Sequence, residues 1–99
     1  CLRDAAAAPM EILRLSCEAI DLHREMLDKG SAMMLSDVGT GVIFCWSALY
    51  GACLNVKVNT KSMADRAYAE AMNREADQLV NQYWKIAEQV YEAVMGRFS

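Results

Sequence analysis

VGTGVIFCWSALYGACLNV, residues 38–56, holds no charged side chain, with Ser36-Asp37 before it and Lys57 directly after it. A helix apolar on all its faces must be surrounded by other elements, so this stretch predicts a buried helix at the centre of a helical domain. Ser36 is the expected N-cap, with Asp37 in the first turn, where the helix dipole favours an acid. Asn55 is the expected end, and Val56-Lys57-Val58-Asn59 reads as a short extended link. Ser47 and Gly51 stand four apart on one face, small positions that let a neighbouring backbone approach closely.

Working outward, Pro9 suits the first turn of a preceding helix, where its missing N–H costs nothing. That helix runs to Lys29, with Glu11, Arg14, Glu18, Asp21, Glu25 and Asp28 at alternating steps of three and four as a solvated stripe. Leu13, Cys17, Ile20 and Leu27, with Ile12, Ala19 and Met26 alongside, form the buried side, and Lys29-Gly30 supplies a cation and a C-cap. Downstream, Asn59 or Thr60 caps a third helix that meets no Gly or Pro until Gly96. At 1.5 Å per residue it would be roughly 50 Å long against about 30 Å for the first. Arg66, Glu70 and Arg74 form a ladder on its exposed side. Leu79, Tyr83, Ile86, Val90 and Val94 continue an apolar stripe past what two shorter helices would cover.

Two flanking helices do not enclose a third that is apolar all round. The expectation is therefore an all-α chain, a helical bundle of three main helices in one partial domain over residues 1–99. Oligomerisation, to a dimer or higher, would complete it through the second and third helices. Composition agrees: 55% hydrophobic residues exclude disorder, and one Pro with five Gly is too little turn chemistry for many short strands. The net charge of −3 comes from 10 basic and 13 acidic residues with the signs interleaved, so no basic face invites nucleic acid.

Cys1, Cys17, Cys45 and Cys53 show no CxxC spacing, and Cys45 and Cys53 would lie about 12 Å apart on one helix, too far for a bridge. They read as buried thiols of a reducing, cytoplasmic compartment. His23 is the single histidine, so no histidine zinc site or Ser/His/Asp triad is expected, and no metal; it reads as a core-boundary residue. Gly39, Gly41, Ser47, Gly51 and Asn55 dilute the uncharged stretch and no Lys/Arg cluster anchors it, so it is not expected to span a membrane. Cys1-Leu2-Arg3-Asp4 shows no signal peptide, and the missing initiator Met suggests a processed or trimmed chain. Trp84 and Tyr91, seven apart, read as interface packing rather than a stacking platform.

Two places carry candidate chemistry. Asp37 is the only acid between Asp28 and Asp65 and is either a carboxylate at a pocket mouth, acting as base or electrostatic partner, or a dipole cap. Asn55 and Asn59 flank Lys57, where amides and an ammonium either orient a planar polar ligand and its carboxylates or serve as turn and capping residues.

The ordered set Ala6-Ala7-Ala8-Pro9, Lys29-Gly30, Ser36-Asp37-Val38-Gly39 and Gly51-Ala52-Cys53-Leu54-Asn55-Val56-Lys57-Val58-Asn59 resembles the cyclodeaminase domain of formiminotransferase-cyclodeaminase and the related methenyltetrahydrofolate cyclohydrolases. The resemblance implies an all-helical, dimeric protein acting on a one-carbon tetrahydrofolate derivative as lyase or hydrolase. Such proteins close formiminotetrahydrofolate with loss of ammonia, or hydrolyse the methenyl ring. Asp37 would then be catalytic, and Ser36, Asn55, Lys57 and Asn59 would bind substrate. Family domains are longer and carry an upstream Pro-Gly-Gly-Gly-Ser segment, which none of the glycines here forms, and Ser31 stands where an asparagine is expected. The chain therefore matches the carboxyl-terminal half of such a domain. The alternative reading is a non-catalytic association module that keeps the scaffold.

Overall fold

The computed structural model describes the backbone of residues 2–29 and 32–98 and the side chains of residues 6–28 and 34–98. These residues form three helices, α1 (Leu2–Lys29), α2 (Ala32–Thr60) and α3 (Arg66–Gly96), arranged as an elongated bundle measuring 51 × 19 × 16 Å. Each helix contributes an apolar row at alternating steps of three and four, the spacing that keeps one stripe turned toward its neighbours. Met10, Leu13, Cys17 and Ile20 of α1 meet Val38, Val42, Leu49 and Val56 of α2, and Ala69, Met72, Ala76 and Val90 of α3 close the core.

All three helices start or stop away from the positions expected from local signals. Pro9 lies inside α1, because the Ala-rich segment before it has the highest helix propensity and Ala6 is fully buried beside Met10. Burial thus extends the helix across a proline that costs about 3 kcal/mol in an isolated helix interior. α2 begins at Ala32 rather than at Ser36, so Asp37 sits in the second turn and Ser36 is no cap; Leu35 packs into the core and carries the helix upstream.

The extended link after Asn55 is instead helix as far as Thr60. Val56 and Thr60 are buried, and the two asparagine amides donate along the helix, Asn55 Nδ2 to Gly51 O at 2.9 Å and Asn59 Nδ2 to Asn55 O at 2.8 Å. Asparagine here satisfies helical carbonyls rather than ending the helix. Asp65, not Asn59 or Thr60, caps α3 by accepting from Tyr68 N at 3.1 Å. Arg66 turns back into the connection, donating to Thr60 O at 2.7 Å and Met63 O at 3.1 Å.

The helices therefore have 28, 29 and 31 residues, and the expected overhang of the third is absent: Val90 and Val94 are covered. Close approach falls on other glycines than the one expected. A Cβ on Gly41 would lie 2.2 Å from His23 Nε2 and one on Gly39 3.0 Å from Val94 Cγ1, whereas one on Gly51 would meet nothing within 4 Å. Ser47 is likewise exposed. His23 is half-buried, as a core-boundary residue should be, with Nδ1 donating to Ala19 O at 2.7 Å. Gly30 and Ser31 lie outside the described residues, and with them the expected C-cap and the asparagine comparison.

Candidate functional site: the α1–α2 face

α2 has two opposite apolar sides. Val38, Val42, Leu49 and Val56 enter the core, while Phe44 is 70% exposed and Leu54 66%. α1 continues the open side with Ile12 and Leu15, each 52% exposed, and Leu22 and Met26. On α3 the exposed large apolar residue is Met95, close to its end. The uncovered apolar face thus belongs to α1 and α2, whereas the sequence places it on the second and third helices.

A groove of about 380 Å³ runs between these two helices, lined by Ala8, Pro9 and Ile12 on one wall and by Ala48, Gly51, Ala52 and Asn55 on the other. Its walls are almost wholly apolar and small, with the Asn55 amide the polar group on its lining. A second depression, about 300 Å³, continues it past Leu15 and Phe44.

Ser36 and Asp37 are both exposed near the other end of α2. Asp37 and Asn55 are 18 residues apart, five turns of 3.6 residues, so they share one side of the helix but lie about 27 Å apart along it. A single chain does not bring them together. Lys57 faces the opposite way, its Nζ 2.9 Å and 3.0 Å from the two carboxylate oxygens of Asp77 on α3. Asn59 sits one turn beyond Asn55 and bonds to its carbonyl. Of the predicted residues, only Asn55 lines the groove.

The charged contacts elsewhere are structural. Arg14 Nε and Nη2 donate to Glu75 at 2.8 and 2.9 Å; this bidentate bond lowers the Glu75 carboxyl and raises the guanidinium. Tyr83 Oη donates to Asp21 at 2.7 Å, and holding that proton against a carboxylate pushes the phenol up to about 12. Burial pushes the Cys17 thiol up to about 11 and raises Cys45 and Cys53, so all three favour the thiol over the reactive thiolate. Among the described residues no three His, Cys, Asp or Glu side chains come together as a metal-binding group.

The groove was not legible as such because Ile12 and Met26 read as core: periodicity finds an apolar stripe but not which edge of it a neighbour covers. The signal that pointed to it was Gly51, a mid-helix glycine expected to admit a neighbour.

An all-α bundle with one open apolar flank, bordered by an amide and a carboxylate on the same helix face, is the class that fold and site define. The family model described as formiminotransferase-cyclodeaminase matches residues 1–78. The chain belongs to this family. A relative, methenyltetrahydrofolate cyclohydrolase of Methylorubrum extorquens, is 34% identical over 96 residues, covering 97% of this chain and 46% of the relative. The chain thus spans about half the length of the relative it matches.

Proposed function

We propose that this chain binds a one-carbon tetrahydrofolate derivative at the Asn55 end of the α1–α2 groove, with Asp37 of another subunit of a homo-oligomer as the catalytic carboxylate, since the two residues lie about 27 Å apart within one chain. The observation that carries the reading is likeness to a methenyltetrahydrofolate cyclohydrolase, 34% identical along 97% of the chain. The groove suits part of such a ligand: a planar heterocycle offers apolar faces to Pro9, Ile12 and Gly51 and a polar edge to an amide. A methenyl bridge is cationic, so a carboxylate beside it both stabilises the charge and takes a proton from attacking water. Ser36 and Asn59 are the supporting residues of this reading, Lys57 being held by Asp77 on the opposite side of α2, and no resident metal is invoked.

Loss of methenyltetrahydrofolate absorbance on adding protein, abolished by Asp37→Ala, supports it. No turnover together with no folate binding in equilibrium dialysis refutes it.

A second reading, a non-catalytic association module, is favoured by the exposed Phe44–Leu54 face and by the separation of Asp37 from Asn55. Either reading uses a homo-oligomer in the cytoplasm. By length and composition α2 could also cross a membrane over Met34–Thr60. The charged, hydrogen-bonded α1–α3 contacts flanking it favour a water-soluble bundle instead.

A further inference from the structure

The α1–α2 groove has a second end. On α1 its wall steps through Ala8, Ile12, Ser16 and Ala19, three or four residues at a time, and the next step is His23. On α2 the opposite wall runs back through Asn55, Gly51, Ala48 and Cys45, and the turn before Cys45 is Gly41. One turn further back stands Asp37.

The two walls touch at that end. His23 Nε2 lies 2.2 Å, and Cδ2 2.8 Å, from where a Cβ of residue 41 would stand, so the imidazole fills the space of the side chain that Gly41 lacks. Side chains four apart on a helix are neighbours, with Cβ atoms about 5–6 Å apart, and each leans toward the helix N-terminus. A side chain at 41 would therefore lean toward Asp37, and the His23 ring takes its place. The other ring nitrogen fixes the tautomer: Nδ1 lies 2.7 Å from Ala19 O, and a carbonyl only accepts, so in the neutral ring Nδ1 carries the proton and Nε2 a lone pair. Among the described residues Nε2 has no hydrogen-bond partner, and the one unpartnered polar side-chain atom that is fully enclosed is Trp46 Nε1. Water therefore reaches Nε2.

The charge facing this ring is a single one. On α2 the titratable groups one turn to either side of Gly41 are Asp37 and Cys45, and burial holds Cys45 as the neutral thiol. On α1 the positions one turn from His23 are Ala19, Ile20, Met26 and Leu27, none of them titratable. α3 packs on the other side of α2, where its Val94 meets Gly39.

We propose that His23 is a positioning residue for Asp37 of the same chain: seated at Gly41, its imidazole takes over the proton that Asp37 collects from the attacking water. The role in the reaction rests on the folate reading above; the pairing across Gly41 stands on the geometry. A carboxylate holds a proton weakly at neutral pH, whereas imidazole is the side chain that exchanges one there. As the water oxygen bonds to the methenyl carbon, one O–H bond breaks and its proton passes to Asp37 and on to Nε2. When the adduct opens, the carbon–nitrogen bond breaks, its electron pair stays on nitrogen, and the imidazolium returns the proton to that nitrogen through Asp37. The hydroxyl proton leaves to solvent as the formyl carbonyl forms. One water is consumed, one proton is released, and both residues end as they began.

In the 99-residue chain, His23→Ala should keep its helical circular dichroism and its affinity for methenyltetrahydrofolate in equilibrium dialysis, while kcat falls about 100-fold. Free imidazole should restore part of that kcat, because the vacated space at Gly41 is ring-sized, and should do nothing for Asp37→Ala. In His23→Gln, which refills more of the seat, the acid limb of the pH profile of kcat should move to lower pH, since the remaining base is a carboxylate. A merely structural histidine would change stability or affinity but neither the limb nor the rescue. Diethyl pyrocarbonate should modify His23 in the folded wild-type chain, a result that needs no folate. An unmodified His23 overturns the assignment, and so does an active wild type whose kcat and pH profile survive both substitutions. If wild type neither binds nor converts methenyltetrahydrofolate, the folate reading falls and takes the role of His23 with it, whereas full activity in both wild type and His23→Ala removes the His23 role alone.

Discussion

Gly41→Ala tests whether the α1–α2 packing is as close as described. In an exposed helix interior, Gly to Ala stabilises by up to about 1 kcal/mol. At position 41 the added Cβ would sit 2.2 Å from His23 Nε2 and 2.8 Å from Cδ2, so the ring must move. That ring is half-buried and held by the Nδ1–H bond to Ala19 O at 2.7 Å. Swinging it away forfeits about 0.5–1.5 kcal/mol of hydrogen bond, and forcing an extra methyl into a packed contact costs about 1–3 kcal/mol. Set against the propensity gain, the net is a destabilisation of about 1–3 kcal/mol.

Gly51→Ala is the control, because its Cβ meets nothing. Both substitutions belong on a Phe44→Glu background, which opposes association through the face that carries residue 51, and at one protein concentration. Urea unfolding should move in opposite directions for the two, and each 1 kcal/mol should shift Tm by about 4–8 °C in a domain of this size. His23→Ala should convert Gly41→Ala from destabilising to stabilising, a coupling of about 2–3 kcal/mol. If Gly41→Ala stabilises as much as Gly51→Ala with His23 intact, the approach of α1 to α2 is wrong.

Other perturbations follow from the same contacts. Glu75 is held below its ordinary carboxyl value by Arg14, so its contribution is complete above pH 4.5 and disappears as the pH falls through the depressed value. Because the pair is about half exposed, Arg14→Gln should remove no more than about 1 kcal/mol at pH 7, less at high salt, by urea unfolding. The Cys17 thiol has the opposite sign: the folded state holds its proton more tightly, so stability is full below pH 9 and falls as the pH rises toward 11. At pH 8 an alkylating reagent should label Cys17 far more slowly in the folded than in the unfolded chain, and equal rates would contradict its burial. Thr60→Val should cost about 1 kcal/mol in thermal unfolding by breaking the 2.7 Å bond to Asn73.

Fold class and helix number were legible because they depend on summed hydrophobic periodicity over long windows, where no single residue decides. Boundaries were not, and each miss has the same cause. Ser36, Asn55 and Asn59 are residues that cap and turn helices when nothing else acts, but Leu35, Val56 and Thr60 are buried, and burial of such a neighbour outweighs a cap of about 1 kcal/mol. The site was legible as residue types rather than as an assembly. Asp37 and Asn55 share a helix face and lie about 27 Å apart by spacing alone; what stayed hidden is that the face between them is open, because the helix was taken to be nearly all buried.

The charge-free stretch therefore answers two different demands. Its inner side is uncharged because α1 and α3 cover it, which any three-helix bundle requires. Its outer side is uncharged although nothing among the described residues covers it, and a surface helix under no other constraint carries charged residues there. Core packing does not explain Phe44 or Leu54, and helix propensity argues against Gly51. A small-residue seat at one point on the face and an exposed ring seven residues away is the arrangement expected of a helix that meets another across its outer side. Since Asp37 and Asn55 mark the ends of that same side, covering it and completing a site between them would be one structural event. Uncovering that side should then abolish folate turnover even where both residues are intact, so Phe44→Glu, at an exposed position outside the groove lining, is expected to be inactive, and a fully active Phe44→Glu chain would separate the two.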